Sequence, residues 1–435
     1  MFEMNKRFRW FVVVAFVLFS ASVSATNGYW SHGYGPKSKS IAGACVAMVF
    51  GAMCAASNPG SLALVGDRLE FGAALFAPKR GFVADDNALG PPIGSIPPGD
   101  YESDNDIFLI PHFAYNRMLD EKSSIGIAIG GNGGMNTEYD SAVFQRFANP
   151  GDPTTTPSSP TGIDMKQAFV GLTYSRRLND EHSIGIEPIF AIQSFKAEGL
   201  QPFQPYSESD TKVTNNGTDI SYGGGLRLGW LWQVNDRLNI GASYQSRLYM
   251  TEFDDYAGLF AEQGDFDIPS NFDLGFSYKF TPEVTFAFNY QRINFAEVAT
   301  IGNRSDVLFV PGGEPELGCN KCMGFGWDDV NIYKFGVQWQ YQPDLAFRAG
   351  YSYATDVFKG SQALFNVLAP AVVKRHFSFG LGKKLEGGSE INLAFTYMPE
   401  EKVYGTNPNT GGITGQTGHV YMDQWELEIG WATAF

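Results

Sequence analysis

Tight and long connections alternate along this chain, and that rhythm restricts its folds more than any other feature. Candidate strands fall near residues 68–80, 107–118, 123–138, 165–178, 182–196, 217–233, 237–251, 270–280, 283–295, 328–341, 344–355, 374–384, 388–398 and 421–435. Every second connection is tight: Leu119-Asp120-Glu121-Lys122, 178–181, Val234-Asn235-Asp236, Thr281-Pro282, Gln342-Pro343 and 385–388. The others are long and rich in Pro, Gly, Asp and Thr, as in 87–106 and 149–161. Short turns at one end and long loops at the other describe an outer-membrane β-barrel with an even number of strands, here about fourteen. A soluble barrel has no reason to segregate its connections in this way.

The strands themselves alternate with period two. Residues 271–280 put Phe272, Leu274, Phe276, Tyr278 and Phe280 on one face, and Asn271, Asp273, Gly275, Ser277 and Lys279 on the other. The run from Tyr333 sets Phe335, Val337, Trp339 and Tyr341 against Lys334, Gly336, Gln338 and Gln340. Such a pattern means one apolar and one polar face. A soluble sandwich alternates too. Here, however, the polar face is often Gly, Ser, Asn or Gln, which suits a wet or ligand-filled lumen. The apolar face is aromatic near strand ends, as in the girdles of membrane barrels. The composition agrees: 36 Phe, 20 Tyr, 8 Trp and 50 Gly in 435 residues favour strands and turns. A chain this long exceeds the ~250–300 residues of one soluble core, yet no linker divides it.

The first residues predict export. Lys6, Arg7 and Arg9 precede an apolar run, 10–19, and a small-residue segment ending in Val23-Ser24-Ala25. That is the layout of a secretory signal with cleavage expected after Ala25. The run is too short to span a membrane as a helix, which takes about 20 residues. Cleavage takes Lys+Arg from 31 to 28 and Asp+Glu from 46 to 45, and the formal net charge from −15 to −17. So acidic a chain lacks the basic footprint of a nucleic-acid binder. The expected organisation is a signal (1–25), an N-terminal hatch (26–66) and an all-β transmembrane antiparallel barrel (67–435).

The hatch is expected because residues 27–62 do not alternate. From Ile41 to Ala56 the chain is apolar but small: Ala42, Gly43, Ala44, Ala47, Gly51, Ala52, Ala55 and Ala56. Sixteen residues are few for a spanning helix. Short helical pieces packed inside the barrel fit better, and a disordered extension would be more polar.

These residues resemble the long-chain fatty-acid transporter (FadL/TodX) family of outer-membrane proteins. The run Ile41-Ala42-Gly43-Ala44 through Ala55, followed by Asn58-Pro59-Gly60-Ser61-Leu62, is similar to the family's hatch, whose pattern Asn-Pro-Ala departs here at Gly60. The stretch from Gly130 to Tyr139 resembles the family's Gly-containing third strand. The resemblance implies capture of a hydrophobic ligand among extracellular loops, passage to the hatch, and release sideways through a third-strand kink. Gly130, Gly131, Gly133 and Gly134 would supply that kink, since Gly marks bulges in strands; a Gly-rich strand end is the plainer alternative. Terminal Phe435 looks like the signal read by barrel-assembly machinery. The implied protein is a monomer in the outer-membrane lipid and lipopolysaccharide of a Gram-negative bacterium. A surface-binding barrel, such as an adhesin or phage receptor, remains the second reading; a water-filled porin would lack the apolar plug.

Other signals are weaker. Cys319 and Cys322, in the loop before the tenth strand, read as a local disulfide or redox pair in a secreted chain; zinc would need two more ligands. Cys45 and Cys54 could form another bridge, and pairing across the two regions stays open. The five His are scattered without metal spacing, and nothing points to a Ser–His pair. No enzyme activity, metal or cofactor is expected. By parity Arg227, Arg247, Lys279, Lys334 and Arg348 face inward, where each pairs with a lumenal acid or serves a ligand carboxylate.

Overall fold

The computed structural model describes residues 27–86, 94–310, 312–410 and 415–435; the expected signal, 1–25, lies outside them. Fourteen long strands form one antiparallel sheet: β1 (Arg68–Ala84), β2 (Phe108–Met118), β3 (Ser123–Tyr139), β4 (Thr161–Arg177), β5 (His182–Glu198), β6 (Asp219–Gln233) and β7 (Leu238–Gln245), then β8 (Asn271–Lys279), β9 (Val284–Ile293), β10 (Val330–Gln342), β11 (Leu345–Ala354), β12 (Arg375–Lys384), β13 (Ser389–Thr406) and β14 (Thr417–Ala434). Each pairs with its neighbours in chain order. β1 also pairs with β14 from Arg68↔Ala434 to Ala84↔Gly418, so the sheet closes and keeps no free edge. Two short strands, Gly99–Glu102 and Tyr249–Met250, add to β1 and β6 at the long-loop end.

Four of the six tight turns share one chemistry. Asp120 Oδ1 accepts from the N–H of Lys122 and Ser123, Asn179 Oδ1 from Glu181 and His182, and Asn235 Oδ1 from Arg237 and Leu238. Thr281 Oγ1 does the same for Glu283 and Val284. A short polar side chain that bonds the backbone two and three residues on closes a turn without extra length.

The outward face is apolar. Phe276, Phe288, Phe335, Tyr351, Phe377, Tyr397 and Trp425 are successive cross-strand partners from β8 to β14. An apolar surface this continuous requires a partner such as lipid. Most strand ends lie where the residue pattern puts them, with differences at the long-loop end. β1, β4, β13 and β14 run four or more residues further there: β1, β13 and β14 pair with one another or with Gly99–Glu102, and β4 pairs with the ends of β3 and β5. β7 stops at Gln245 instead of 251: Ser246 N still donates to Leu226 O, but Leu226 N donates to Ser246 Oγ in place of a carbonyl.

Candidate functional site

Residues 27–65 lie inside the lumen as a coil of short pieces: a helix, Gly35–Lys39, and two 3₁₀ turns, Ala52–Ala56 and Pro59–Leu64. The coil follows the wall. A Cβ added at a lumenal glycine would strike the coil on nine strands. Pro36 lies against Gly430 of β14, Ser40 against Gly380 of β12, and Ile41 against Gly350 and Gly336 of β11 and β10. Val46 lies against Gly275 and Gly241 of β8 and β7, Asn58 and Pro59 against Gly229 and Gly185 of β6 and β5, and Leu62 against Gly126 of β3. Three of these seats are glycine pairs facing each other across a ladder: Gly336↔Gly350, Gly275↔Gly241 and Gly185↔Gly229.

The hatch segment Asn58-Pro59-Gly60 is fixed most firmly. Asn58 Nδ2 donates to Val46 O (2.7 Å) and to Trp230 O of β6 (2.9 Å), and its Oδ1 accepts from Gly60 N (2.9 Å). Ser183 Oγ of β5 donates to Gly60 O (2.6 Å). Gly60 itself leaves little room: its Cβ would stand 3.0 Å from Gly229 C.

The wall departs from a regular ladder at the predicted glycines. β3 pairs with β2 from Met118↔Ser124 only as far as His112↔Gly130. Against β4 its register shifts between Gly131 and Gly133, leaving Asn132 as the extra residue of a bulge. Past that point β3 bonds the coil: Ser31 N donates to Asn132 O (2.7 Å) and Gly134 N to Tyr29 O (3.2 Å). Phe108–Pro111 of β2 keep only β1 as a strand partner. The strands meet again indirectly at the long-loop end, where Asp104 N donates to Glu138 O (2.9 Å). Between these limits β2 and β3 are not joined by a ladder.

A cavity lies on the lumenal side of this gap. Phe76, Phe108, Met135, Trp327 and Met422 make its apolar walls, and Arg80 contributes the one charge. Arg80 was not read from the sequence, although its even number in β1 puts it inward with Phe76 and Phe82.

The family model for outer membrane protein transport protein (OMPP1/FadL/TodX) matches residues 34–424. The chain belongs to this family. It is thus an outer-membrane transport barrel of the FadL/TodX type, and it resides in the outer membrane of a Gram-negative bacterium. Among solved structures, the Pseudomonas putida toluene transporter TodX is similar at 19% identity, with 94% of this chain and 100% of that one covered and a TM-score of 0.67. The Ralstonia pickettii toluene transporter TbuX matches at 16% identity, 93% and 99% coverage and a TM-score of 0.62. A Pseudomonas aeruginosa FadL homologue matches at 13% identity, 94% and 100% coverage and a TM-score of 0.67. No curated protein matches the chain in sequence.

The five cations do not form one site in this FadL/TodX-type barrel. Arg227 pairs with Glu187 (2.5 Å) and donates to Gln245. Lys334 and Arg348 depart from the expected acid pairing: Lys334 donates to His32 O (3.2 Å), and Arg348 to Gln338 and Asn392 while covering the ring of Phe50. Lys279 has lumenal parity but sits exposed at the tight-turn rim, where its strand ends. Arg247 lies beyond β7 in the loop and holds Asp265 (3.1 Å) and Asp267 (2.6 Å).

Two of these groups give measurable expectations. Glu187→Gln leaves the buried Arg227 without its anion, which costs about 3–5 kcal/mol, so the thermal unfolding midpoint in detergent should fall clearly. Burial, with the Asp267 carboxylate beside it, pushes the Asp265 carboxyl up to about 7 against the pull of Arg247. A carboxyl raised in the folded state holds its proton more tightly there than in the unfolded chain. Loop 246–270 therefore loses stability as pH rises through about 7, and is fully stabilised only near the ordinary carboxylate range. Its hydrogen exchange, corrected for intrinsic rate, should be slower at about pH 6 than at about pH 8, and Asp265→Asn should flatten the difference.

Cys319 and Cys322 are joined. Cys45 and Cys54 are both unbonded, with Sγ atoms 3.8 Å apart in the coil. Among the described residues no cluster of His, Cys, Asp and Glu could hold a metal ion. Phe435 stacks on Tyr115 (5.5 Å) under Arg117.

Proposed function

We propose that this barrel carries hydrophobic small molecules, fatty acids or monoaromatic compounds, across the outer membrane and releases them sideways between β2 and β3. The observation that carries the reading is the coincidence of three features. The β2–β3 ladder stops at His112↔Gly130, an apolar cavity lies behind the gap, and the coil fills the direct way down. Two of the similar structures are of toluene transporters, which supports a hydrophobic cargo. The energetics favour a lateral exit. Returning an alkyl chain to periplasmic water costs about 0.8 kcal/mol per CH₂, and a side exit into lipid avoids that cost.

In this reading residues 1–25 are removed on export, 26–66 act as the hatch and 67–435 as the barrel. Asn58-Pro59-Gly60 anchor the hatch, and Gly130, Gly131, Gly133 and Gly134 form the opening. The barrel works as a monomer without catalysis, amid lipid and lipopolysaccharide, and Phe435 serves its assembly. The test is uptake of a labelled long-chain fatty acid and a monoaromatic hydrocarbon by cells lacking their own transporter. Saturable uptake of either is expected. Uptake of neither by a correctly assembled barrel would transfer the function to surface binding of a partner or phage.

A further inference from the structure

An unbroken line of hydrogen bonds joins the coil to an outer loop, and it passes through the extra residue of the β3 bulge. Tyr34 of the coil donates its hydroxyl to Asn132 Oδ1 (2.7 Å). Asn132 Nδ2 donates to Gln167 Oε1 of β4 (3.0 Å). Gln167 Nε2 donates to Gln193 Oε1 of β5 (2.7 Å), and Gln193 Nε2 to the carbonyl of Phe266 (2.8 Å). All three amide side chains are buried. Gln167 and Gln193 are direct partners in the β4–β5 ladder, so period two puts both on the same, inward face.

Phe266 belongs to loop 246–270, and the loop is clamped around it. Arg247 holds Asp265 on one side of Phe266 and Asp267 on the other. Met250 N donates to Asp267 Oδ1 (2.6 Å), and Leu248 and Ile268 exchange backbone bonds (2.8 and 3.1 Å). The Phe266 ring packs on Tyr29 of the coil (6.2 Å between centroids). Tyr29 in turn accepts from Gly134 N, just past the bulge. The loop therefore reaches the bulge twice, once through the wall and once through the coil.

The line through the wall has a single direction. Each amide accepts on the coil side and donates on the loop side. Turning one of them over would set nitrogen against nitrogen and oxygen against oxygen, and a buried amide without a partner is costly. The final acceptor is a backbone carbonyl, which moves only with the loop. The place of Phe266 thus decides whether Gln193 is satisfied. Gln193 in turn orients Gln167, the wall residue whose side chain holds Asn132.

We propose that Gln167 and Gln193 are positioning residues of the lateral gate, which tie the bulge of β3 to loop 246–270 so that displacement of the loop loosens the bulge. This rests on the lateral route proposed above and names its control. The trigger that the geometry fits is a hydrophobic molecule arriving from outside and parting Phe266 from Tyr29. One movement then removes both the last acceptor of the line and the ring packed on the coil.

The experiment measures hydrogen exchange on the purified full-length barrel in detergent, in segments 29–34, 131–136 and 260–270. Arg247→Gln loosens the loop without touching the amides. Gln193→Met keeps the volume and cuts the line, and Gln167→Met cuts it at a second link. Each variant is checked for assembly by heat-modifiable mobility. Arg247→Gln is expected to speed exchange in the loop and, by about fivefold, in 29–34 and 131–136. In the Gln193→Met background the same substitution should still speed the loop but add little at the bulge, which is the non-additivity of coupled sites. Equal acceleration of the bulge with and without Gln193 would overturn the proposal. So would a loosened loop above an unchanged bulge in Arg247→Gln, a test that stands even if both Met variants fail to assemble. Uptake of toluene in cells should be faster with Gln193→Met than with wild type, and an unchanged rate beside a loosened bulge would remove the gate role. If wild type takes up neither toluene nor a fatty acid, the channel reading fails, while exchange still decides whether loop and bulge are coupled.

Discussion

Replacing Gly229 with Leu should drive the hatch off the wall and raise the ion conductance of the barrel well above that of wild type. The Cβ alone would stand 2.2 Å from Asn58 Oδ1, 2.6 Å from Pro59 Cδ and 2.7 Å from Gly60 N. None of these atoms has slack. Asn58 is tied to Val46 and Trp230, and Gly60 is tied to Ser183. The partner across the ladder, Gly185, presses on the same residues, with a Cβ position 2.3 Å from Pro59 C. Overpacking costs typically ~1–3 kcal/mol where side chains can shift, and here the colliding atoms are largely backbone. The wall is held by two continuous ladders, so the hatch yields first. Planar-bilayer conductance checks this. A variant that conducts no more than wild type would mean that the pore is blocked elsewhere.

The second large effect is expected at Gly133. Gly133→Phe should cut uptake of a hydrophobic substrate by at least about tenfold while the barrel assembles and resists heat normally. Gly133 follows the bulged Asn132 and forms a bridge with Trp30 of the coil. A ring there fills the space between β3 and the unladdered end of β2, but it breaks no bond of the β3–β4 ladder, which uses the backbone alone. Uptake at the wild-type rate by an assembled mutant would mean that ligand leaves by another route.

Much of this architecture is legible from residue order because membrane barrels obey local rules. Period-two alternation, turn-forming Asp120, Asn179 and Asn235, and the segregation of loops each act within about a dozen residues. The seat of the hatch is not local. Gly275 and Gly336 read as polar-face glycines of a wet lumen, and only the closed barrel reveals that Val46 and Ile41 of the coil occupy the place of their missing side chains. The cations show the same limit. Parity puts Lys279 and Lys334 on one face, but height along the strand separates them: one ends at a rim and the other is buried under the coil. Arg80 escaped notice because the cavity it lines forms where β2 runs free of β3, and that boundary depends on loop residues 99–107 with no pattern of their own.

The order in which the coil meets the wall has a mechanical corollary. After Tyr29 and Ser31 have bonded the bulge of β3, it meets glycines of β14, then of β12, β11, β10, β8, β7, β6, β5 and β3, and it is continuous at its far end with β1. A stopper wound in this way cannot slide out as a cork does. It must unwind, seat by seat, starting from the end that rests on the bulge of β3. Under the proposed lateral route, whatever pries Tyr29 and Ser31 from that bulge begins two motions with one event: it clears the side exit and frees the first turn of the spring.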